Sequence, residues 1–302
     1  LGGLIRYREE VLDSTMNSLG RLALAVSDQV NTQLGQGLDL KGQVGTALFG
    51  NYNTEALGKL RVNAFAGNSN AQPVMNITDT SLLTTSDYLM EYDGSSYKVR
   101  RLSDNQLMTV TDSVPPGTLS ITDKDNKSQG FQIVLGSPAP AAGDKFSLQP
   151  TRRGASDIRA TLDQADQLAF AAPVRAGAGP QNAGTGAISQ PNMIAGPSPI
   201  SMTALRDLFG NEGASINFTA PNTLEITGGT ARFRNVDNSV QPPLITFSPT
   251  TTINLGQSNS LVLEADGYQF ELTMSGKPQG TDTFSIGFNS GGVSDNRNAL
   301  KL

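Results

Sequence analysis

Residues 4–34 read LIRYREEVLDSTMNSLGRLALAVSDQVNTQL. Apolar side chains recur in this segment at alternating spacings of four and three residues, the heptad-like pattern of a helix that packs along one narrow stripe. We name this stripe the apolar seam and define it by Leu12, Met16, Leu19, Val26 and Val30. No proline interrupts the segment, and glycines at 35 and 37 follow it as a helix stop. The pattern predicts one helix from residue 4 to residue 34, roughly 45 Å long.

Short alternating runs bounded by turn residues follow the helix and predict two β regions. The first spans residues 61–151, with candidate strands at 87–92, 97–102, 107–110, 119–122, 131–135 and 145–149. The second spans residues 201–290 and opens with a short helix between Ser201 and Gly210. Its candidate strands are 215–218, 223–226, 231–234, 244–247, 252–255, 261–265, 268–274 and 283–288. The predicted fold class is α+β, mostly β, with one long helix and two inserted antiparallel β domains.

The remaining segments connect these parts. Residues 1–60 form the helical segment, and residues 152–172 are predicted to return to it through a strand-like run and a short helix from Asp163 to Phe170. Residues 173–200 are rich in glycine and proline and predict a linker. Residues 291–302 are predicted to begin a further helix at Ser294-Asp295. Because the chain offers little helix to cover the apolar seam, we interpret it as an interior fragment of a longer protein.

A weak internal repeat links the two β regions. The segments Gly143–Leu148 and Gly280–Ile286 both place an aspartate before a Phe-Ser strand that ends on Leu or Ile, and a Ser-Asp pair follows each of them. The repeat suggests two related β modules, although two copies of a turn-flanked strand can also arise by chance.

The composition excludes several classes of function. The chain has no cysteine and no histidine, so it cannot form a catalytic triad, a thiolate nucleophile or an ordinary zinc site. A net charge of −5 argues against binding to nucleic acid, and no apolar stretch approaches the roughly 20 residues that span a membrane. Asp123–Lys127 resembles a calcium loop, but a lysine occupies a ligand position. We therefore expect no enzymatic activity, no cofactor and no bound metal.

Several segments resemble one known family. The stretch Leu1–Asp13 and its continuation Asn17–Ala25 are similar to flagellar hook-associated protein 1, the family of the first hook–filament junction protein. Shorter similarities lie at Gly37–Gly42, Ser86–Gly94, Gly143–Phe146, Ala172–Ala176 and Ser294–Leu300. The first 40 or so residues are the specific part, and the second β region is similar only weakly.

The resemblance implies a structural role without turnover. A member of this family joins hook to filament by subunit packing, outside the cell, after secretion through the flagellar export apparatus. Its partners would be copies of itself, the hook subunit and the second junction protein. The long helix would belong to a helical rod domain, and the apolar seam would pack against other helices of that domain. The isolated fragment is expected to be a monomer or a weak dimer.

Two alternatives remain open from the residues. One is a secreted carbohydrate-binding or adhesive β module, for which a cluster of exposed aromatic side chains would be expected. The chain has no tryptophan, and its six tyrosines are scattered. The other is a flagellin or a hook subunit, which the resemblance of the opening stretch disfavours.

Overall fold

The long helix dominates the start of the chain. The computed structural model describes residues 11–113, 115–220 and 222–302, so the predicted helical residues 4–10 lie outside it. Helix α1 runs Asp13–Leu34 and confirms the predicted helix over that range. The backbone N–H of Gly35 donates to Asn31 at 2.9 Å and that of Gly37 to Leu34 at 3.0 Å, which ends the helix where the glycines predicted.

Three short helices and nineteen strands make up most of the rest of the described chain. The helices are α2 (Glu55–Leu60), α3 (Gly154–Asp157) and α4 (Met202–Phe209). The first eight strands are β1 (Val62–Ala64), β2 (Val74–Ile77), β3 (Tyr88–Tyr92), β4 (Tyr97–Arg101), β5 (Leu107–Ser113), β6 (Thr118–Thr122), β7 (Ser128–Val134) and β8 (Lys145–Leu148). The others are β9 (Val174–Ala178), β10 (Ala187–Ile188), β11 (Asn192–Ala195), β12 (Ala214–Ala220), β13 (Thr223–Thr227), β14 (Arg232–Asp237), β15 (Leu244–Ser248), β16 (Thr250–Thr252), β17 (Asn259–Ala265), β18 (Tyr268–Ser275) and β19 (Thr283–Phe288).

The chain divides into two compact units. The first consists of Leu1–Val30 and Phe49–Thr161, and the second of Asn31–Leu48 and Leu162–Leu302. In the first unit, β1 to β8 form one antiparallel sheet in the order β1-β8-β3-β4-β5-β6-β7-β2. Its core includes Tyr88 and Phe131, whose rings meet edge to face at 5.0 Å, together with Met75, Phe146 and Leu148.

The second unit has two sheets and a core of its own. One sheet has the order β16-β13-β12-β19-β9, and the other has the order β10-β18-β17-β14-β15, with β11 also pairing β18. Helix α4 begins at Ser201, whose hydroxyl accepts from the Ala204 N–H at 3.2 Å, and ends at Gly210 with φ 76°, as predicted. Phe209 of this helix packs edge to face on Phe270 at 5.5 Å.

The two β domains share a strand path. In the first domain, the last strand, β8, lies between the first strand, β1, and the β3–β4 hairpin. Strands β5, β6, β7 and β2 follow in that order. In the second, β19 likewise lies between β9 and the β12–β13 hairpin, and β14, β17, β18 and the β10/β11 pair take the places of β5, β6, β7 and β2. The second domain differs in that the path is divided between two sheets at β13 and β14, where β16 pairs with β13 and β15 pairs with β14 instead. This common path places the two segments of the sequence repeat in equivalent strands, β8 and β19.

A buried aspartate precedes each of these equivalent strands. Asp144 accepts the N–H groups of Ser69 and Ala141, both at 2.8 Å. Asp282 accepts the N–H groups of Ala183 at 2.8 Å and Gln279 at 3.0 Å. Each carboxylate therefore ties the loop before the last strand to a loop near the start of its domain, and we call these two residues the aspartate latches.

Three predicted features differ from the structure. Residues 173–200, predicted as a linker, contain β9, β10 and β11, because their backbone groups pair with β18 and β19 despite the Gly and Pro content. Residues 163–170 form only one 3-10 turn, Ala165–Gln167, and no side chain caps it. Residues 291–302 likewise end in a single 3-10 turn, Ala299–Lys301. There the Asp295 carboxylate accepts from the N–H of Arg297 at 3.0 Å, two residues on, instead of capping a helix.

Candidate interaction surface on the long helix

Helix α1 turns its polar and small residues towards its own unit. Asn17, Gly20, Leu24 and Ser27 recur at spacings of three and four, and all four are buried. Only Leu24 among them is a large apolar residue, and it joins the core of the first β domain. This arrangement departs from the usual amphipathic helix, whose buried face is mostly apolar.

A pair of glycines sets the distance between the helix and the segment after β8. A Cβ atom built on Gly20 would lie 2.8 Å from the carbonyl carbon of Thr151, still closer to its oxygen, and 3.1 Å from the nitrogen of Gly154. A Cβ atom on Gly154 would in turn lie 2.9 Å from the Cα of Gly20. The two backbones are therefore in direct contact, and any side chain at position 20 would separate them.

An arginine joins the helix to the sheet beside this contact. Arg152 donates from Nε to Asn17 Oδ1 at 2.7 Å and places Nη1 2.7 Å from Asp13 Oδ1. Its Nη2 also donates to Asp87, the residue before β3. Asn17 completes the network by donating to the Thr85 carbonyl at 3.0 Å. Burial raises the pKa of the Asp87 carboxyl above its usual value, although the Arg152 guanidinium and the Asn17 amide act in the opposite direction.

A second polar contact lies about three turns beyond Asn17 along the helix. Asp28 accepts hydrogen bonds from the Tyr52 hydroxyl at 2.8 Å and from the Thr80 hydroxyl at 3.0 Å. Burial and the Asp28 carboxylate together raise the pKa of Tyr52 well above its usual value, so the phenol stays protonated and remains a donor. Hydrogen bonds at both ends of the buried face thus fix the rotation of α1 about its axis.

The apolar seam flanks the buried face, roughly 100° further around the helix axis. Leu12, Leu19 and Val26 are 51%, 50% and 41% exposed, whereas Met16 and Val30 are half-buried. Leu22, which the seam prediction did not include, is 61% exposed on the same side. The helix thus presents a continuous apolar stripe that the described residues leave largely uncovered. Such a stripe is typical of an interface with another helix.

The spacing of the residues predicts the seam, but the sequence alone does not show the contacts that orient it. Gly20 was a visible signal, because a glycine inside a helix weakens it by about 1 kcal/mol and needs a reason. Arg152 and Asp87 gave no local signal, because the fold brings them to the helix from distant parts of the chain. Within the described ranges, no three Asp or Glu residues lie close enough to hold a metal ion. Nor does any helix in the described part have the length and apolarity needed to cross a membrane.

Comparison with known proteins finds one family. The model described as the helical domain of flagellar hook-associated protein FlgK matches residues 1–49, and that described as the D2-like domain of flagellar hook-associated protein 1 matches residues 63–150. Flagellar hook-associated protein 1 of Salmonella typhimurium is 29% identical over 177 residues, which cover 57% of this chain and 29% of that protein. The same protein of Escherichia coli K12 is 29% identical over 180 residues, covering 59% of this chain and 30% of its own length.

A solved structure extends the similarity to nearly all residues. The flagellar hook junction protein FlgK from Burkholderia pseudomallei superposes with a TM-score of 0.72 and 28% sequence identity. The match covers 99% of this chain and 52% of that one. The chain thus spans about half the length of the solved structure and under a third of the two curated relatives.

Proposed function

We propose that this chain, which belongs to the family of flagellar hook-associated protein 1, is a structural part of the junction between the hook and the filament of a bacterial flagellum. The similarity to a solved flagellar hook junction protein over 99% of the chain supports this role, because it includes the second β domain, which neither matching family model covers. The role requires subunit packing and no turnover.

One observation carries the mechanism: α1 is fixed to its own unit by a polar face while its apolar seam remains exposed. A free helix would rotate to bury Leu12, Leu19 and Val26. The Gly20–Gly154 contact and the Arg152 network hold it in a rotation that leaves these side chains exposed. The protein therefore uses specific polar contacts to keep an apolar surface available for a partner.

We propose that further helices of a rod domain pack on this seam. The spacings of four and three between seam residues favour a coiled-coil-like contact, in which side chains of one helix insert between those of the next. Such a contact would tie the helix into a tubular wall, while the β domains would lie outside the wall and contact neighbouring subunits. The proposed partners are other copies of the chain, the hook subunit and the second junction protein, and the proposed location is outside the cell after export through the flagellar apparatus.

The proposal is tested by placing a charge on the seam. We expect Leu19→Glu with Val26→Glu, introduced into the protein as it is expressed in its own bacterium, to leave hooks without filaments and cells without motility. A carboxylate facing apolar side chains of a neighbouring helix is costly to desolvate, so the seam could no longer pack. Electron microscopy of the flagella and a swimming assay measure the effect.

The matched control is Ser18→Glu, which adds a carboxylate to an exposed position beside Leu19 but off the seam. We expect Ser18→Glu to assemble normally. Circular dichroism of both purified variants should match that of the wild type, because all the changed side chains are exposed or on an exposed face. Normal filaments on cells carrying the double seam variant would refute the role of the seam.

A further inference from the structure

Strands β14 and β15 form a two-stranded ribbon at one edge of the second β domain, where Asn235 of β14 donates to the Thr250 carbonyl of β16 at 3.0 Å. Strand β14 pairs with β17 only at Arg232 and Phe233, whereas it pairs with β15 from Phe233 to Asp237. Beyond Phe233 the two strands therefore continue without a neighbour on the β17 side. We call residues 234–248 the ribbon. A two-stranded ribbon alone is marginally stable in water, so a ribbon that leaves its sheet is commonly supported by other contacts.

The ribbon exposes an unusual amount of apolar surface. Every residue of β15 is exposed except Ser248, which is intermediate. Large apolar side chains with 42–54% of their surface exposed occur in both strands and the turn: Val236, Val240, Leu244, Ile245 and Phe247. Scattered single apolar residues are ordinary on protein surfaces, but a cluster of this kind marks an interaction site.

The comparison between the two β domains shows where β15 lies. In the first domain β5 pairs with both β4 and β6. In the second, β14 pairs with β17 and with β15, while β13 lies in the other sheet, so β15 takes the edge of β14 that corresponds to the β4 side of β5. No further described strand pairs with the outer side of β15, and its apolar side chains are exposed and lie outside the core of the domain.

The outer edge of β15 lacks the charged side chains that commonly prevent edge strands from pairing with other chains. Residues 238–263 contain no charged side chain, and charged residues are the common protection of edge strands. Pro243 and Pro249 bound the strand on both sides, so that the open edge is limited to five residues, Leu244–Ser248. Since the chain carries a net charge of −5, this uncharged edge is where two copies can approach with little repulsion.

We propose that two copies of this chain pair through β15 in solution, antiparallel and related by a two-fold axis at Thr246. In this register Ile245 of each copy lies opposite Phe247 of the other, and such pairs of β-branched and aromatic residues are favourable across strands. Both residues lie on one face of β15, because side chains alternate along a strand. A two-fold contact closes on itself, so it produces dimers and no larger species. This pairing does not depend on the proposed function.

The exposed area indicates that the contact is weak. The five apolar side chains of the ribbon, each about half-exposed, together expose on the order of 400 Å² in each copy. Two copies could then bury about 800 Å², which is below the roughly 1,200 Å² of the smallest standard interfaces. We therefore expect a dimer that forms at high protein concentration and that a covalent bond can trap.

The absence of cysteine from the sequence allows a clean test. In the Thr246→Cys variant of the complete 302-residue chain, the two new thiols would face each other across the two-fold axis. Directly opposite antiparallel residues have Cα atoms about 4.5–5.5 Å apart, within the range that a disulfide bridges. We expect mild oxidation to give a disulfide-linked dimer at least about tenfold faster than random collision, because pairing raises the effective thiol concentration. Non-reducing electrophoresis measures the rate.

The matched control is Thr252→Cys, the same substitution at an exposed position on β16, the edge strand of the other sheet. A second control adds Ile245→Lys to Thr246→Cys, which places like charges close together in the pair and should remove the rate advantage. Sedimentation of the Leu19→Glu, Val26→Glu variant, in which the seam cannot pack, should show dimers and no larger species at high concentration. Equal rates for the two cysteine variants, an unchanged rate with Ile245→Lys, or larger species of the seam variant would each overturn the proposal.

Discussion

The contact between Gly20 and Gly154 predicts that alanine at position 20 destabilises the protein, opposite to its usual effect in a helix. Replacement of glycine by alanine at an ordinary exposed helix position stabilises the helix by about 1 kcal/mol. At Gly20 the new methyl group would fall 2.8 Å from the Thr151 carbonyl carbon and 3.1 Å from the Gly154 nitrogen. Both are backbone atoms, which cannot rotate away as a flexible side chain could. We therefore expect Gly20→Ala to destabilise the first unit.

The magnitude follows from two opposing contributions. Overpacking of a well-packed contact costs about 1–3 kcal/mol and occasionally more. Moving α1 away also lengthens the hydrogen bonds of Asn17 with Arg152 and Thr85, and each buried bond contributes about 1 kcal/mol. Against these stands the gain of about 1 kcal/mol in helix propensity. The net loss in free energy of unfolding should be about 2–4 kcal/mol, a factor of roughly 30 to 900 in the folding equilibrium constant.

Hydrogen exchange of the backbone amides of residues 17–27 measures this loss without assuming that the two units unfold together. The control is Ser18→Ala, an exposed helix position where alanine should be neutral or slightly stabilising. If Gly20→Ala protects these amides as well as the wild type does, or better, the direct backbone contact is not present and the account of how the seam is oriented fails.

Two further predictions concern buried charges. Arg152→Ala should lower the free energy of unfolding of the first unit by about 3 kcal/mol, measured in urea, because Asp87 loses its cationic partner. Adding Asp87→Asn should recover part of that loss. An Arg152→Ala variant of wild-type stability would contradict the network. For the aspartate latches, burial alone would raise the pKa values of Asp144 and Asp282, but hydrogen bonds from neighbouring N–H groups, and from the Ser69 hydroxyl for Asp144, lower them below the usual value. A lowered pKa in the folded state gives stability that is present above the unfolded value of about 3.9 and is lost as the pH falls through the folded value. The Asp144→Asn, Asp282→Asn double variant should therefore be less stable than the wild type near pH 7 and should lose less stability below about pH 4. If its melting temperature changes with pH as that of the wild type does, this prediction is contradicted.

The sequence predicted the elements that depend on local signals. Helix α4 was found because Ser201 caps its start and Gly210 ends it, and β19 was found with its exact bounds because its residues alternate between two turns. Residues 173–200 were misinterpreted because glycine and proline indicate loops locally, while pairing with β18 and β19 depends on residues nearly a hundred positions away. The helix predicted to begin at Ser294-Asp295 does not form, because the Asp295 carboxylate accepts from the Arg297 N–H instead of capping a helix.

The same difference between local and long-range signals applies to the candidate surface on α1. The spacing of leucine and valine residues predicted which side of α1 carries the seam, because periodicity is a local property. Which side faces the β domain could not be predicted from periodicity, and the usual rule would have buried the seam. Asn17 and Arg152 decide the orientation, and they meet only after β3 to β8 have brought residue 152 back to the helix.

The shared strand path also makes each β domain a removable module. In the first domain the entering strand β1 pairs directly with the leaving strand β8, with Val62 opposite Leu148, and in the second β9 pairs with β19, with Val174 opposite Phe288. The strands through which the chain enters and leaves each domain are therefore neighbours, about 5 Å apart. A chain of this design can lose, gain or exchange a whole β domain through a linker of a few residues. Evolution can thus change the β domains of such a protein without rebuilding its long helix.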